Sequence, residues 1–165
     1  MERLIEVTSI GQIPYSRLME LYSQDLQENA RRDYPARSFS EALFAAEQDF
    51  YTYMADVFFQ TPGARFFALL SCEQWVSCLR LEPYADGYLI CGITTDPGCK
   101  RKGYASSLLN SVLSQVDARV YSHVEKHNLV SIQLHEKCGL VRNQEWAEML
   151  NGEILHNFCS FYYEK

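Results

Sequence analysis

The sequence predicts a mixed α/β fold in which helices flank a central, mostly antiparallel sheet. Three β-rich runs separated by short turns predict an antiparallel meander. An amphipathic helical repeat between the last of these runs and a fourth predicts a parallel, right-handed crossover. The chain has 165 residues, and a chain of that length buries about 70% of its unfolded surface in one core. We therefore expect a single domain spanning residues 1–165.

The first third of the chain predicts an edge strand and two helices. Residues 1–7 form a short β-like run, and Pro14 stands where the first turn of a helix tolerates proline. Tyr34-Pro35 ends this helix, which we expect to be continuous. Ser38 and Glu41 have the spacing of a capping box and predict the start of the second helix. One flank of that helix is aromatic and predicts either a core or subunit contact or the wall of a pocket: Phe44, Tyr51, Tyr53 and Phe59.

The three runs of the meander lie at 65–71, 75–81 and 88–95. Glu73-Gln74 connects the first two runs. Asp86-Gly87 stands before the third, and this dipeptide is a strong hairpin signal. Short connections of this kind join neighbouring antiparallel strands, so we expect the three runs to pair in sequence order.

The remaining elements follow the meander. Apolar residues spaced as one helical face predict a helix over 103–116, and the run at 120–124 is expected to pair in parallel with the last meander strand. A further helix is predicted over 128–137, with Asn128 as its N-cap. Asn151-Gly152 lies between β-rich runs and predicts a final hairpin that ends near residue 163.

A basic turn stands between the strand at 88–95 and the following helix. Asp96-Pro97-Gly98 ends the strand, because proline cannot continue a ladder. Three cations and a glycine then meet the unpaired amides and the positive dipole end of a helix N-terminus, an arrangement that binds phosphate. The four residues of this basic turn are Lys100, Arg101, Lys102 and Gly103.

Two familiar phosphate-binding motifs fit this turn poorly. A phosphate loop needs Lys and then Ser or Thr after its second glycine, where this chain has Tyr104 and Ala105. A dinucleotide fingerprint would need a third glycine. A helix start with a solvated basic turn and no ligand is the alternative that these residues alone leave open.

Composition narrows the function classes. The net charge is −6 at pH 7, which disfavours duplex nucleic acid or an anionic membrane as the main partner. No apolar run approaches the roughly 18 residues of a membrane span, and no targeting segment is evident, so we expect a cytoplasmic protein. Six cysteines without a Cys-x-x-Cys pair and four scattered histidines predict reduced thiols and no metal site.

Two segments resemble motifs of the GNAT N-acetyltransferases. In the acetyl-CoA signature, Arg or Gln is followed by two residues, Gly, one residue, and Gly or Ala; Lys100, Gly103 and Ala105 take these three positions. The family's second motif opens a helix with Asn and closes it with Tyr-Glu-Lys-x-Gly-Phe. Residues 128–140 are similar to it, with His135 in place of Tyr and Leu140 in place of Phe. The two motifs occur in the family's order.

The resemblance implies the GNAT fold, whose parallel strand pair splays apart, and acetyl-CoA as co-substrate. The pantetheine arm would follow the backbone edge of Ile93, Thr94 and Thr95 toward the gap between these strands. Backbone N–H groups there would bond the arm and polarise the thioester carbonyl. The residues expected to hold the diphosphate are Lys100, Arg101, Lys102, Gly103, Tyr104 and Ala105.

One stripe of the predicted 128–137 helix is polar. Asn128, Ser131 and His135 are spaced by three and four residues and therefore share one face. The resemblance favours a coenzyme-facing stripe in which Asn128 and Ser131 bond the arm. Capping by Asn128, with the other two exposed to solvent, is the alternative interpretation.

His135 is the predicted acid, in the place of the family's Tyr. A Tyr of pKa about 10 stays protonated and can protonate the leaving thiolate, whereas a His of pKa about 6.5 does so well only if a carboxylate raises its pKa. Otherwise it would hydrogen-bond the sulfur, and water would supply the proton. The strand at 88–95 holds no carboxylate, so Glu82 and His123 are the candidate bases. Attack by an amine that is already deprotonated is a third route.

The sequence thus predicts acetyl transfer from acetyl-CoA to a primary amine. The acidic charge and the aromatic first lobe favour a small cationic or amphipathic acceptor. A module that senses acyl-CoA without chemistry is the main alternative, and a structural domain with a vestigial basic turn is the third. Aromatic residues of the tail predict a surface through which two chains could pair as a homodimer: Phe158, Phe161 and Tyr162.

Overall fold

The computed structural model describes residues 1–165 and contains a seven-stranded sheet, a two-stranded ribbon and five α-helices. The strands are β1 (Glu2–Val7), β2 (Arg65–Ser71), β3 (Gln74–Tyr84), β4 (Gly87–Thr95), β5 (Arg119–Glu125), β6 (Val141–Gln144), β7 (Ala147–Glu148), β8 (Ile154–Leu155) and β9 (Phe158–Tyr163). The helices are α1 (Tyr15–Leu21), α2 (Ser23–Asp33), α3 (Phe39–Asp56), α4 (Tyr104–Gln115) and α5 (Leu129–Lys137). The strand order in the main sheet is β1-β2-β3-β4-β5-β9-β6.

The predicted meander is confirmed, because β1 to β4 pair as antiparallel neighbours in sequence order. β3 is longer than predicted: it continues to Tyr84, and Pro83 pairs with Tyr88. The turn into β4 is therefore only two residues, Ala85 and Asp86. Asp86-Gly87 lies at this tight reversal, as the sequence indicated.

The parallel pair β4 and β5 is also confirmed, and it is open at one end. Pairing runs from Gly87↔Arg119 to Ile90↔Ser122 and stops there, although both strands continue. At the closed end the backbones are in close contact, since a Cβ on Gly87 would lie 1.9 Å from the Arg119 carbonyl oxygen. Beyond Ile90, the side of β4 that faces β5 has no ladder partner.

A bulge in β4 lies where the two strands part. Cys78 pairs with Thr94 and Arg80 with Cys91, so two residues of β4 stand opposite one residue of β3. The first of the two, Gly92, has a φ of +60°. A Cβ on Gly92 would also lie 2.9 Å from the ring of Tyr22. Both the backbone conformation and this contact require glycine.

The single helix expected between residues 14 and 33 is wrong, because Tyr22 divides it into α1 and α2. The Thr94 hydroxyl of β4 donates a 2.7 Å hydrogen bond to the carbonyl of Leu21. This bond satisfies a carbonyl at the end of α1 and anchors the break to the bulged strand. A tertiary contact of this kind leaves no local sequence signal. The start of α3 is as predicted, with the Ser38 amide donating to the Glu41 carboxylate at 3.2 Å.

The tail differs most from the prediction. Asn151-Gly152 does reverse the chain, but the hairpin around it is the two-residue ribbon of β7 and β8. β9 instead inserts between β5 and β6 in the main sheet. β6 was missed because all four of its residues are exposed and show no apolar alternation. Phe161 is fully buried on β9, so this residue cannot contribute to the predicted homodimer surface.

Two apolar cores cover the two faces of the sheet. One packs β2 to β5 and β9 against α4 and α5, and the other packs β1 to β3 against α1, α2 and α3. All six cysteines are free. No helix combines the length and apolarity needed to cross a bilayer.

Candidate active site

The basic turn keeps its backbone amides free. Gly103 precedes α4 in a left-handed conformation with a φ of +87°, and Arg101 also has a positive φ, +62°. None of the amides from Arg101 to Ser106 donates a hydrogen bond within the protein. Six donors, the positive end of the α4 dipole and the exposed cations of the turn therefore converge on one region, which is an anion-binding arrangement.

A cavity of about 420 Å³ opens beside these amides, between α4 and α5. Val130 and Leu134 of α5 give it an apolar wall, and Lys137 is its third lining cation, after Lys100 and Arg101. Six of the predicted coenzyme residues line it: Thr95, Lys100, Arg101, Gly103, Tyr104 and Ala105. The sequence prediction of a basic turn beside a helix start is thus met by an open cavity.

A second cavity, of about 210 Å³, lies along the free end of β4. It shares Thr95 and Lys100 with the first, and Ile93, Thr94 and Asn128 line it as well. The two cavities therefore adjoin at Thr95 and Lys100 and lead from the basic turn to the strand edge where β4 and β5 part. A chain-like ligand held at the turn would reach that edge along this path.

Three predicted coenzyme residues have internal or peripheral positions. The Thr94 hydroxyl donates to the Leu21 carbonyl, and the Thr94 carbonyl accepts a 2.6 Å hydrogen bond from the Ser77 hydroxyl. Lys102 is exposed and lines neither cavity. Ser131 also lines neither: its amide donates to the Asn128 side chain at 3.1 Å, and its carbonyl oxygen lies 2.6 Å from His135 Nδ1. Asn128 is confirmed as the N-cap of α5.

His135 is buried and its ring nitrogens are both used. Its side chain is 1% exposed; Nε2 lies 2.7 Å from Ser122 Oγ, and Nδ1 lies 2.6 Å from the Ser131 carbonyl oxygen. Burial lowers the pKa of His135 and no carboxylate opposes this shift. The condition under which a histidine would be a good acid is therefore absent. The ring ties α5 to β5 at Ser122, the last residue of the parallel pairing.

The two candidate bases are likewise bonded within the protein. Glu82 accepts a 2.7 Å hydrogen bond from the Tyr53 hydroxyl and lies 3.9 Å from Arg80 Nε. His123 Nε2 lies 2.8 Å from the Glu148 carbonyl oxygen, and its Nδ1 lies 3.0 Å from Ser160 Oγ. Burial lowers the pKa of His123. His123 lines a separate cavity of about 390 Å³ beside β5. The Glu82 carboxylate instead contacts the Tyr53 hydroxyl.

Comparison with known proteins decides the family. A model of the acetyltransferase (GNAT) family matches residues 17–140. The chain belongs to the GNAT acetyltransferase family. The expected enzyme class, an acyltransferase, and the expected co-substrate, acetyl-CoA, are thereby confirmed. A search of curated protein sequences gave no significant match.

Solved structures of GNAT enzymes share the fold at low sequence identity. An acetyltransferase of the family from Bacillus cereus is 19% identical, with a TM-score of 0.61 over 100% of this chain and 98% of that one. The ribosomal-protein-S18-alanine N-acetyltransferase of Escherichia coli is 15% identical (TM-score 0.61; 98% and 92% covered). The spermidine N-acetyltransferase of Vibrio cholerae, solved with CoA and spermine, is 17% identical (TM-score 0.61; 98% and 94% covered).

A further cavity of this GNAT domain lies along α3, whose aromatic flank allowed a pocket wall as one interpretation; of the four flank residues, Tyr53 lines it. It measures about 490 Å³ and lies between α2 and α3, with Arg80 of β3 in its wall. The Arg80 guanidinium carbon lies 5.5 to 5.9 Å from the centres of four aromatic rings. A charged residue in the otherwise apolar run at 75–81 was the available signal. Asp25 also lines this cavity, and nothing in its local sequence distinguishes it from an ordinary first-turn helix acid.

Proposed function

We propose that this GNAT domain transfers the acetyl group of acetyl-CoA to the primary amine of a small acceptor. The observation that carries the proposal is the set of unpartnered amides and cations at the basic turn, from which two adjoining cavities lead to the edge where β4 and β5 part. The positive charge of the turn is complementary to the negative charge of a diphosphate. The second cavity leads along β4 to backbone that lacks a β-ladder partner.

The residues of the site fit coenzyme A. The amides of residues 101–106 would donate hydrogen bonds to the diphosphate, with Lys100, Arg101 and Lys102 around it. Val130 and Leu134 offer an apolar wall to the less polar parts of the molecule. Ile93 and Thr95 would guide the pantetheine arm along β4, with Asn128 on the opposite side.

The reaction joins nitrogen to the acetyl carbon and breaks the bond from that carbon to sulfur. An ammonium acceptor must first lose one proton, and the nitrogen loses another while the sulfur gains one, so one proton is released overall. Free backbone N–H groups of β4 beyond Ile90 would stabilise the oxyanion, and binding both reactants would supply orientation. Thiolate of pKa near 8.5 is a good leaving group, so water can protonate it at neutral pH.

His135, Glu82 and His123 stay predictions as acid or bases, and their internal bonds favour positioning roles. His135 would hold α5 at the point where the strands part. Those same bonds favour the alternative of a binding module without chemistry, since none of the three groups is free. The six free cysteines support the proposal that the protein acts in the cytoplasm.

Thiol release tests the function. Purified protein, acetyl-CoA and a panel of amines should give CoA in amounts that match the acetylated product. Binding of acetyl-CoA without thiol release from any amine would overturn the transferase proposal in favour of the binding module. Failure to bind acetyl-CoA at all would overturn both.

A charge variant in α4 tests the location of the coenzyme. Ser106→Asp adds a carboxylate in the first turn, where it favours the helix but repels a diphosphate. We expect the Kd for acetyl-CoA to rise at least about tenfold, or roughly 1.4 kcal/mol. Asn110→Asp, an exposed position one turn later on the same helix, is the matched control. Equal effects of the two variants would contradict binding at the turn.

A further inference from the structure

Three cavities lie in series on this domain. The cavity at the basic turn meets the β4 cavity at Thr95 and Lys100. The β4 cavity in turn meets the α2–α3 cavity at one residue, Asp25, which lines both. Under the proposed function, the first two cavities hold the coenzyme. Asp25 then stands between the end of the coenzyme path and the one remaining cavity on that line.

The Asp25 carboxylate is available to a ligand. Asp25 is exposed and lines both cavities, and no side-chain hydrogen bond or ion pair holds it. The surrounding protein partly removes it from water, which raises its pKa; nearby Glu28 adds to this rise, while Arg80 and Lys100 oppose it. A carboxylate with a raised pKa is a stronger base than an ordinary aspartate. By contrast, Glu82 and both histidines are already bonded.

The α2–α3 cavity also limits the acceptor. Tyr22, Phe50 and Tyr53 present aromatic side chains, and Leu26 and Ala46 add aliphatic surface. The remaining carboxylates in its wall have partners: Asp33 is paired with Arg32 at 2.7 Å, and Asp49 accepts a bond from the Tyr34 hydroxyl. Asp25 is thus the carboxylate of this cavity that is left to meet a cationic head group, and the five aromatic and aliphatic residues suit an apolar body, although Arg32 and Arg80 also line the cavity.

We infer that the α2–α3 cavity is the acceptor site, that it takes a primary amine carried on an apolar or aromatic body, and that Asp25 receives the proton of the ammonium group. The inference rests on the proposed function. The ammonium gives one proton to Asp25, which passes it to water through the open cavity. The neutral amine then forms the carbon–nitrogen bond as described above, and no further reactant is needed.

The first experiment asks which amines react. The full-length protein is assayed with acetyl-CoA and 2-phenylethylamine, ethanolamine, spermidine or a short peptide with a free N-terminus. The inferred class predicts the highest kcat/KM for 2-phenylethylamine. Preferential turnover of ethanolamine, spermidine or the peptide would overturn the acceptor class while leaving the transferase function standing. No turnover of any amine would overturn the function itself.

The second experiment tests Asp25 with the amine that reacts best. Asp25→Asn should lower kcat/KM at pH 7 by about 100-fold, a typical cost of losing a general base. The deficit should shrink to less than about tenfold near pH 9.5, because an alkylamine of pKa about 10.4 is then partly neutral in solution. A merely structural role would not produce this recovery. Asp56→Asn, an exposed carboxylate on α3, is the control and should match the wild type.

Equal activity of Asp25→Asn and the wild type would overturn the role of Asp25 without touching the transferase function. A loss that persists unchanged at pH 9.5 would do the same. The location of the acceptor is tested by Asn29→Trp, which fills the α2–α3 cavity from α2. It should raise the KM for the amine at least about tenfold and leave acetyl-CoA affinity unchanged. Arg31→Trp, exposed on the opposite side of α2, is its control. An unchanged KM in Asn29→Trp would place the acceptor elsewhere.

Discussion

The basic turn and the polar stripe of α5 differ in where their hydrogen bonds go. At the turn, the amides from Arg101 to Ser106 have no acceptor within the protein. On the stripe, Asn128 caps its own helix, and both nitrogens of His135 contact protein oxygens. Groups that the fold leaves without partners are available to a ligand, whereas partnered groups hold elements together. The comparison assigns binding to the turn and support to the stripe.

Reversing two charges at the turn should have the largest effect. Arg101→Glu combined with Lys102→Glu should raise the Kd for acetyl-CoA about 100-fold, or roughly 2.7 kcal/mol, because two cations of the basic turn become anions that repel the diphosphate. Both residues are exposed, so the free energy of unfolding should not change. Calorimetric titration measures the Kd. Arg31→Glu with Arg37→Glu makes the same change of net charge elsewhere, and an equal loss in that control would reduce the effect to bulk charge.

Breaking the bond between His135 and Ser122 should instead destabilise the fold. His135→Phe and Ser122→Ala should each lower the free energy of unfolding by about 1–3 kcal/mol, since each leaves a buried polar group unpaired. The double variant should lose less than the sum, because both residues share one contact. Urea denaturation of the four proteins gives the coupling energy. Additive losses, or a variant that stays stable but loses turnover, would return His135 to the role of acid.

The pH dependence of stability also tests whether His135 has a structural role. Burial holds the folded-state pKa of His135 below the value of about 6.5 in the unfolded chain. Below pH 6.5 the unfolded state therefore binds a proton that the folded state does not, and the free energy of unfolding falls as the pH drops. His135→Phe should remove up to about 1.4 kcal/mol per pH unit of this slope. Denaturation at pH 7.0, 6.0 and 5.5 measures it, and identical slopes would show that His135 is not protected from protonation.

Two signals explain why much of the fold could be predicted from sequence. Local turn and capping chemistry located the meander and the starts of α3 and α5, and helical periodicity located α4. The failures depend on contacts between distant residues. Thr94 divides the first helix at Tyr22, and β6 joins the sheet only because β9 brings a pairing edge to it. No local pattern reports either event.

The candidate site divides in the same way. Glycine and cation spacing predicted the basic turn, because phosphate binding depends on backbone and charge within one short segment. The roles of His135, Glu82 and His123 depend on partners far away in sequence, such as Ser122 and Tyr53. Asp25 was not predicted, because its sequence context is ordinary. Its position in the walls of two cavities is what identifies it as a candidate.

Asn128 should show the smallest effect, and it separates the two roles that its position allows. Asn128→Ala should lower the free energy of unfolding by about 1 kcal/mol through loss of the N-cap. Asn128→Asp keeps an oxygen acceptor and should restore stability. If the amide group of Asn128 also donates to the pantetheine arm, acetyl-CoA affinity will remain reduced in Asn128→Asp. Full recovery of affinity would limit Asn128 to capping.

A crystal structure with acetyl-CoA bound would locate the diphosphate and the thioester in one measurement. We expect diphosphate oxygens at about 2.7–3.2 Å from amides between Arg101 and Ser106, and a thioester beside β4 past Ile90, within reach of Asp25. A diphosphate held elsewhere, or a thioester on the far side of the sheet from Asp25, would contradict this expectation.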